Sequence, residues 1–179
     1  MTNKFDNIIV FTDGACSQNG KKTASAGIGI CFPNKEFNNI AEEFTMQPIT
    51  NQRAELYAIY TALKTITESS KFNKITIYSD SEYSIKSVTE WIKNWEKNNW
   101  KTTGNKPVKN QDIIRPLNDI LKQYSNLIIF KHVRSHTGKK TFEAIYNDMA
   151  DKLACSKVQR EVIRIKIDTS NIDDIEISD

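Results

Sequence analysis

The sequence predicts an α/β fold: a mixed five-stranded sheet, three antiparallel strands and then parallel ones, with helices on both faces. Three observations carry this. Segments of strand and helix character follow the order strand, strand, strand, helix, strand, helices, strand, helix. Only turn-like residues part the first three strands, which makes them a meander, whereas helices part the later ones, which calls for right-handed crossovers. The 179 residues suffice for one such domain and a small appendage.

The elements justify themselves in order. Asn7–Gly14, "NIIVFTDG", is a short apolar run stopped by an Asp-Gly turn and reads as a buried strand. "AGIGICFPN" and "FNNIAEEFTM" are two more strands, separated at Pro33-Asn34. From Asn51 to about Thr67, the residues Leu56, Ile59, Tyr60, Leu63 and Ile66 recur at helical spacing. "KITIYSD" is the fourth strand, and a helix starts near Ser81. "QDIIRPLNDILKQY" is helical, with Pro116 in its first turns, where proline is better tolerated. "NLIIFKHV" is the fifth strand and "FEAIYNDMADKLACSKVQ" the last helix. Between them, "TEWIKNWEKNNWKTTGNKPVKN" (Thr89–Asn110) holds all three tryptophans and five lysines.

The net charge of +3 conceals an asymmetry. The last twelve residues carry five acids and no base, and the other 167 residues hold 25 basic and 17 acidic side chains, a net of +8. A basic body suggests a polyanionic partner. Cys16, Cys31 and Cys155 are odd in number and form no CxxC pair or zinc set. No apolar signal region starts the chain, so an intracellular protein, cytoplasmic or nuclear, with reduced thiols is expected. No apolar run approaches membrane-spanning length.

Two strands end in an acid, Asp13 of "VFTDG" and Asp80 of "TIYSDS". Ligand sites of open α/β sheets gather beyond the carboxyl ends of parallel strands, where these two acids meet if their strands are neighbours. Glu55 begins a helix and Asp151 lies in the last one. Each acid alone reads as a turn, cap or surface residue. As a converging set they repel one another unless a cation holds them, and oxygen ligands without Cys or His suit Mg²⁺. On a basic protein this suggests two-metal phosphodiester hydrolysis. His132 and His136 form an HxxxH pair across a strand end and a loop, not on a helix, which rejects zinc.

"FTDGACSQNG", "TNQRAELYAI", "IYSDSEYSIKSVTEWIKNWEKNNWKTTGNKPVKNQD" and "KHVRSHTG…YNDMADKLA" occur in the order found in type 1 ribonuclease H, and the resemblance covers about residues 6–158. It implies a ribonuclease H-like fold, a catalytic domain over 1–160 with a handle at about 91–110, and hydrolysis of the RNA strand of RNA–DNA hybrids to 5′-phosphate and 3′-hydroxyl ends. Four acids map onto Asp13, Glu55, Asp80 and Asp151, binding two Mg²⁺ ions for which Mn²⁺ can substitute. Asp13 would bridge both ions, Asp151 sharing the one that activates water, Glu55 and Asp80 holding the other. Asn147 three residues before Ala150-Asp151 fits the family pattern, leaving Asp148 an ordinary exposed acid. His136 matches a loop histidine assisting proton transfer or product release. Ten residues separate it from Asn147, a lengthened loop, and Tyr146 stands where glycine is usual.

The resemblance also assigns substrate contacts: Cys16, Ser17, Asn19, Asn51 and Gln52 toward RNA, and Thr50 and Asn110 toward a DNA phosphate. Pro48 occupies the place of that pocket's arginine. Trp91 and Trp95, one helical turn apart, with Tyr83 and Thr103, match residues of the DNA channel. A monomer is expected. Alternatives are a catalytically weak hybrid-binding module and a DNA-cutting nuclease of the same fold. Residues 161–179 form an acidic extension, expected as a mobile tail. Its alternating Ile163, Ile165 and Ile167 allow an added strand, on this sheet or on a protein partner.

Overall fold

The computed structural model describes residues 3–135, 138 and 140–159. The five strands are β1 (Asn3–Ser17), β2 (Ser25–Cys31), β3 (Ile40–Phe44), β4 (Ser70–Ser79) and β5 (Ile128–His132). They lie in the order β3-β2-β1-β4-β5. β1, β2 and β3 pair antiparallel, whereas β4 pairs parallel with β1 and β5 parallel with β4. This is the mixed sheet that the segment order predicts.

Helix α1 (Asn51–Ser69) is the crossover from β3 to β4. Thr50 starts it by accepting the Arg53 amide on its hydroxyl, and the Ser70 hydroxyl closes it on the Ile66 carbonyl. Pleat alternation then divides the sheet. Ile8, Val10, Ile28, Ile30, Ile75 and Ile77 face the main core with Leu56, Ile59, Leu63 and Ile66 of α1. Phe11, Cys31 and Tyr78 face the other way, against Ala150 of α5 (Phe142–Cys155).

Two corrections follow. β1 does not stop at Asp13-Gly14: pairs from Phe11↔Cys31 to Ser17↔Ser25 carry it onward along β2. Gly14 serves close approach instead of a turn, since a Cβ there would stand 2.3 Å from the Glu55 amide nitrogen. The helix expected from Ser81 is in three parts: α2 (Glu82–Lys86), a π-helical turn (Ser87–Trp91) and α3 (Ile92–Lys97). The handle then turns through left-handed Asn99 and Trp100, makes a Lys101–Pro107 bridge, and enters α4 (Gln111–Gln123) from left-handed Asn110.

Trp95 and Trp100 pack against the main core, and the Arg115 guanidinium lies over the Trp100 ring at 4.7 Å. No described helix is long and apolar enough to cross a membrane. His136 and residues 161–179 lie outside the described residues.

Candidate active site

The parallel pairing of Phe11 with Tyr78 sets the register of the acids. Asp13 and Asp80 each follow this pair by two residues, so they emerge side by side on one face. β4 ends at Ser79 while β1 runs on, which opens a notch beside Asp13. The glycine contact at position 14 lets the first turns of α1 sit against β1 and bring Glu55 over that notch. On the other face α5 presses directly onto β2. A Cβ on Gly29 would stand 2.0 Å from the Ala150 carbonyl oxygen and one on Gly27 2.3 Å from that of Ala154. Asp151 is thereby delivered to the same place.

Carboxylate oxygens of Asp13, Glu55 and Asp80 lie within 4.8 Å of one another. With Asp151 and Asn51 they line an open cleft of about 400 Å³, to which Ser81 and Ser135 contribute. Asp151 is outside the tight group of three. Its Oδ1 accepts from Cys155 Sγ at 3.4 Å.

The electrostatics show strain that a cation would relieve. Burial, then the Asp80 charge, with a smaller push from Asp151, raises the Asp13 carboxyl to about 7. Burial and the Asp13 and Asp80 charges hold the Glu55 carboxyl well above the usual range. The two share a hydrogen bond and thus a proton. Asp13 Oδ1 accepts the Gly14 amide at 2.7 Å, but Glu55 Oε2 is buried without a protein partner. An orphaned carboxylate oxygen inside an all-oxygen set fits a hard divalent cation.

Asn147 is buried and donates its amide to Asp80 Oδ2 at 3.3 Å. His132 Nε2 sits 3.1 Å from the Asp80 carbonyl oxygen, holding the backbone that carries the acid. Asp148 is exposed.

The expected substrate residues fall into two further places. Asn19, Pro48, Thr50, Gln52 and Asn110 line a pocket of about 590 Å³ together with Arg53 and Lys109. Asn19 Oδ1 accepts the Asn51 amide at 3.0 Å, tying the first loop to the start of α1. Trp91, Trp95 and Thr103 line a groove of about 400 Å³ with Asn94, Asn98, Lys101 and Thr102. Tyr83 joins the two places: its hydroxyl accepts the Asn110 amide at 2.9 Å and its ring meets Trp91 edge-on. Cys16 and Ser17 lie elsewhere. Cys16 packs half-buried against the core, and Ser17 bonds the backbone of Ser25 at the hairpin end.

Sequence reasoning missed Arg53 and Lys109. Arg53 is 3% exposed and pairs in bidentate fashion with Asp112, at 2.8 and 2.6 Å, while its Nε has no partner. Its partner is 59 residues away, so no local spacing could have signalled the pair. Lys109 was one lysine among five in its stretch.

Comparison with known proteins agrees with this geometry. A family model described as RNase H matches residues 6–159. A "Probable ribonuclease H" of Acanthamoeba polyphaga mimivirus is 41% identical over 145 residues, covering 79% of this chain and 62% of that protein. "Ribonuclease HI" of Haemophilus influenzae is 37% identical over 147 residues, covering 82% and 86%. The solution structure of a PFV RNase H domain superposes with a TM-score of 0.69 at 24% identity, covering 84% of this chain and 93% of that one, and supports the fold. The chain spans about half the length of several other curated relatives it matches. The match runs through every strand and helix that builds the cleft, and the chain belongs to the ribonuclease H family.

Proposed function

We propose that this chain is a divalent-metal-dependent endonuclease that hydrolyses the RNA strand of RNA–DNA hybrids, using two Mg²⁺ ions and leaving 5′-phosphate and 3′-hydroxyl ends. The observation that carries it is the convergence of Asp13, Glu55 and Asp80 within 4.8 Å, with Asp151 on the same cleft. Bound there, divalent ions would supply a Lewis acid and an activated water for phosphodiester hydrolysis. Asp13, which feels both Asp80 and Asp151, would hold a divalent cation together with them. Asn147 and the His132 contact hold Asp80 in place. Asn51, which lines the cleft, would meet the RNA strand near the acids.

The DNA strand would lie across the tryptophan groove, where Trp91 and Trp95 offer flat faces to sugars and Lys101 neutralises phosphate. It would be anchored in the pocket of Thr50, Asn110 and Lys109. Pro48 brings no charge there, and Lys109, which lines the same pocket, would supply one. Thr50 to Glu55 is one rigid stretch at the start of α1.

The test is one gel: hybrid, duplex RNA and duplex DNA of a single sequence, each with Mg²⁺ or EDTA. RNA-strand cleavage confined to the hybrid with Mg²⁺ is expected. Cleavage of duplex DNA, or an intact hybrid, would overturn the reading.

A further inference from the structure

Asn110 stands at the start of α4 but does not do the usual work of a residue there. An asparagine in that place normally has extended backbone and accepts an amide of the first helical turn on its side chain. Asn110 is left-handed, with φ 60° and ψ 18°, and its side chain makes no capping bond. Asparagine tolerates this backbone better than most residues, but the conformation is uncommon and clusters at functional sites.

Two partners hold the side chain elsewhere. Its amide nitrogen donates to the Tyr83 hydroxyl at 2.9 Å, and Oδ1 accepts from Arg53 Nη1 at 3.5 Å. Arginine has no acceptor, so Arg53 decides which way the amide faces: oxygen toward the guanidinium, nitrogen toward Tyr83. Arg53 is itself fixed, buried and clamped by both carboxylate oxygens of Asp112. Tyr83 takes one of the two amide hydrogens. The other is left for a ligand in the pocket that Asn110 and Arg53 line. Arg53 keeps an unpartnered Nε as a second donor.

We propose that Tyr83 is a positioning residue whose hydroxyl, working against Arg53, presents the Asn110 amide as a donor to a phosphate of the DNA strand. This rests on the reading that the pocket takes such a phosphate. A carboxamide free to flip would also present its oxygen, which repels phosphate. The Tyr83–Arg53 pair removes that state. The role is separate from that of the ring, which meets the groove residue Trp91 edge-on at 5.9 Å.

Tyr83→Phe separates the two roles, because it keeps the ring and removes the hydroxyl. Hybrid binding is measured in EDTA, with each DNA-strand phosphate replaced in turn by an uncharged methylphosphonate. One replacement is expected to weaken the native chain most. On the unmodified hybrid Tyr83→Phe is expected to lose about three- to tenfold in affinity, the size of one positioned hydrogen bond. On the hybrid with that replacement, and in an Asn110→Ala background, the same change is expected to cost less than about twofold. Equal loss on both hybrids, or equal loss with and without the Asn110 side chain, would overturn the inference and return the effect to the ring. No loss on the unmodified hybrid would overturn it as well. If no replacement weakens the native chain, the pocket reading itself fails and the inference falls with it.

Discussion

Replacing Asp13 with asparagine is expected to destroy the proposed catalysis and at the same time stabilise the metal-free fold. The folded-state carboxyl is raised from 3.8 to about 7, chiefly by burial and by Asp80. Between those values the folded chain binds more protons than the unfolded one, so stability falls as pH rises through the window. A shift of roughly three units corresponds to about 4 kcal/mol at pH 8. Glu55 shares the proton, so about half of that is the expected net gain. Asparagine keeps an oxygen for the Gly14 amide, which Asp13 accepts at 2.7 Å. For a domain of this size about 2 kcal/mol raises Tm by about 4–8 °C. The assay is thermal unfolding in EDTA at pH 8 and pH 4.5, repeated at pH 8 with Mg²⁺. The gain is expected at pH 8 and should shrink at pH 4.5, where the native carboxyl is protonated. Mg²⁺ should raise the Tm of the native chain more than that of the variant. An equal gain at both pH values, or none at pH 8, would refute the argument that the acids repel.

Two further outcomes follow from the pocket beside α1. Lys109→Ala is expected to weaken hybrid binding about three- to tenfold and to reduce the slope of log affinity against log salt by about one, with kcat at saturation unchanged. An unchanged slope would remove Lys109 from the phosphate contacts. Asp112→Asn is expected to cost about 1–2 kcal/mol at pH 7, because it removes the charge that pairs with the buried Arg53, while the half-exposed acid limits the loss. Arg53 holds the Asp112 carboxyl below its usual range, so the native chain's advantage is present above pH 3.8 and fades as pH falls below it. Urea titrations at pH 7 and pH 2.5 give the two differences, and equal values would contradict the pairing.

The sheet was legible because its signals are local. Strand runs, the periodicity of α1 and the order of elements need no information from distant residues. The acids were legible for a different reason: Asp13 and Asp80 occupy equivalent places after their apolar runs, and parallel pairing converts this equivalence into contact. Gly14 shows the limit. Asp-Gly carries a turn signal, and only the nearness of α1 reveals that the glycine makes room for Glu55. Gly27 and Gly29 do the same for α5, and nothing near them in sequence announces a helix from residues 142–155. The handle was half legible. Helical spacing relates Trp91 to Trp95, whose rings lie 5.8 Å apart, but the π-helical turn ending at Trp91 has no signal in propensity. Trp100 reaches the core only because left-handed Asn99 and Trp100 fold the chain back.

The start of α1 explains why the acid cleft and the pocket behave as one device. Thr50 caps the helix and faces the pocket, Asn51 lines the cleft, Arg53 anchors α4 through Asp112, and Glu55 completes the acids. At 1.5 Å per residue these roles fit within about 7.5 Å of helix. In the proposed function, the separation between a DNA phosphate in the pocket and the acids would therefore be set by a rigid, cross-braced turn and not by a loop. On this reading a change that tilts α1, such as Gly14→Ala, moves Glu55 away from Asp13 and the pocket away from the cleft together. Gly14→Ala is accordingly expected to reduce kcat and weaken hybrid binding in the same variant, whereas Lys109→Ala affects binding alone. Separate loss of the two in Gly14→Ala would show that the cleft and the pocket are not coupled through α1.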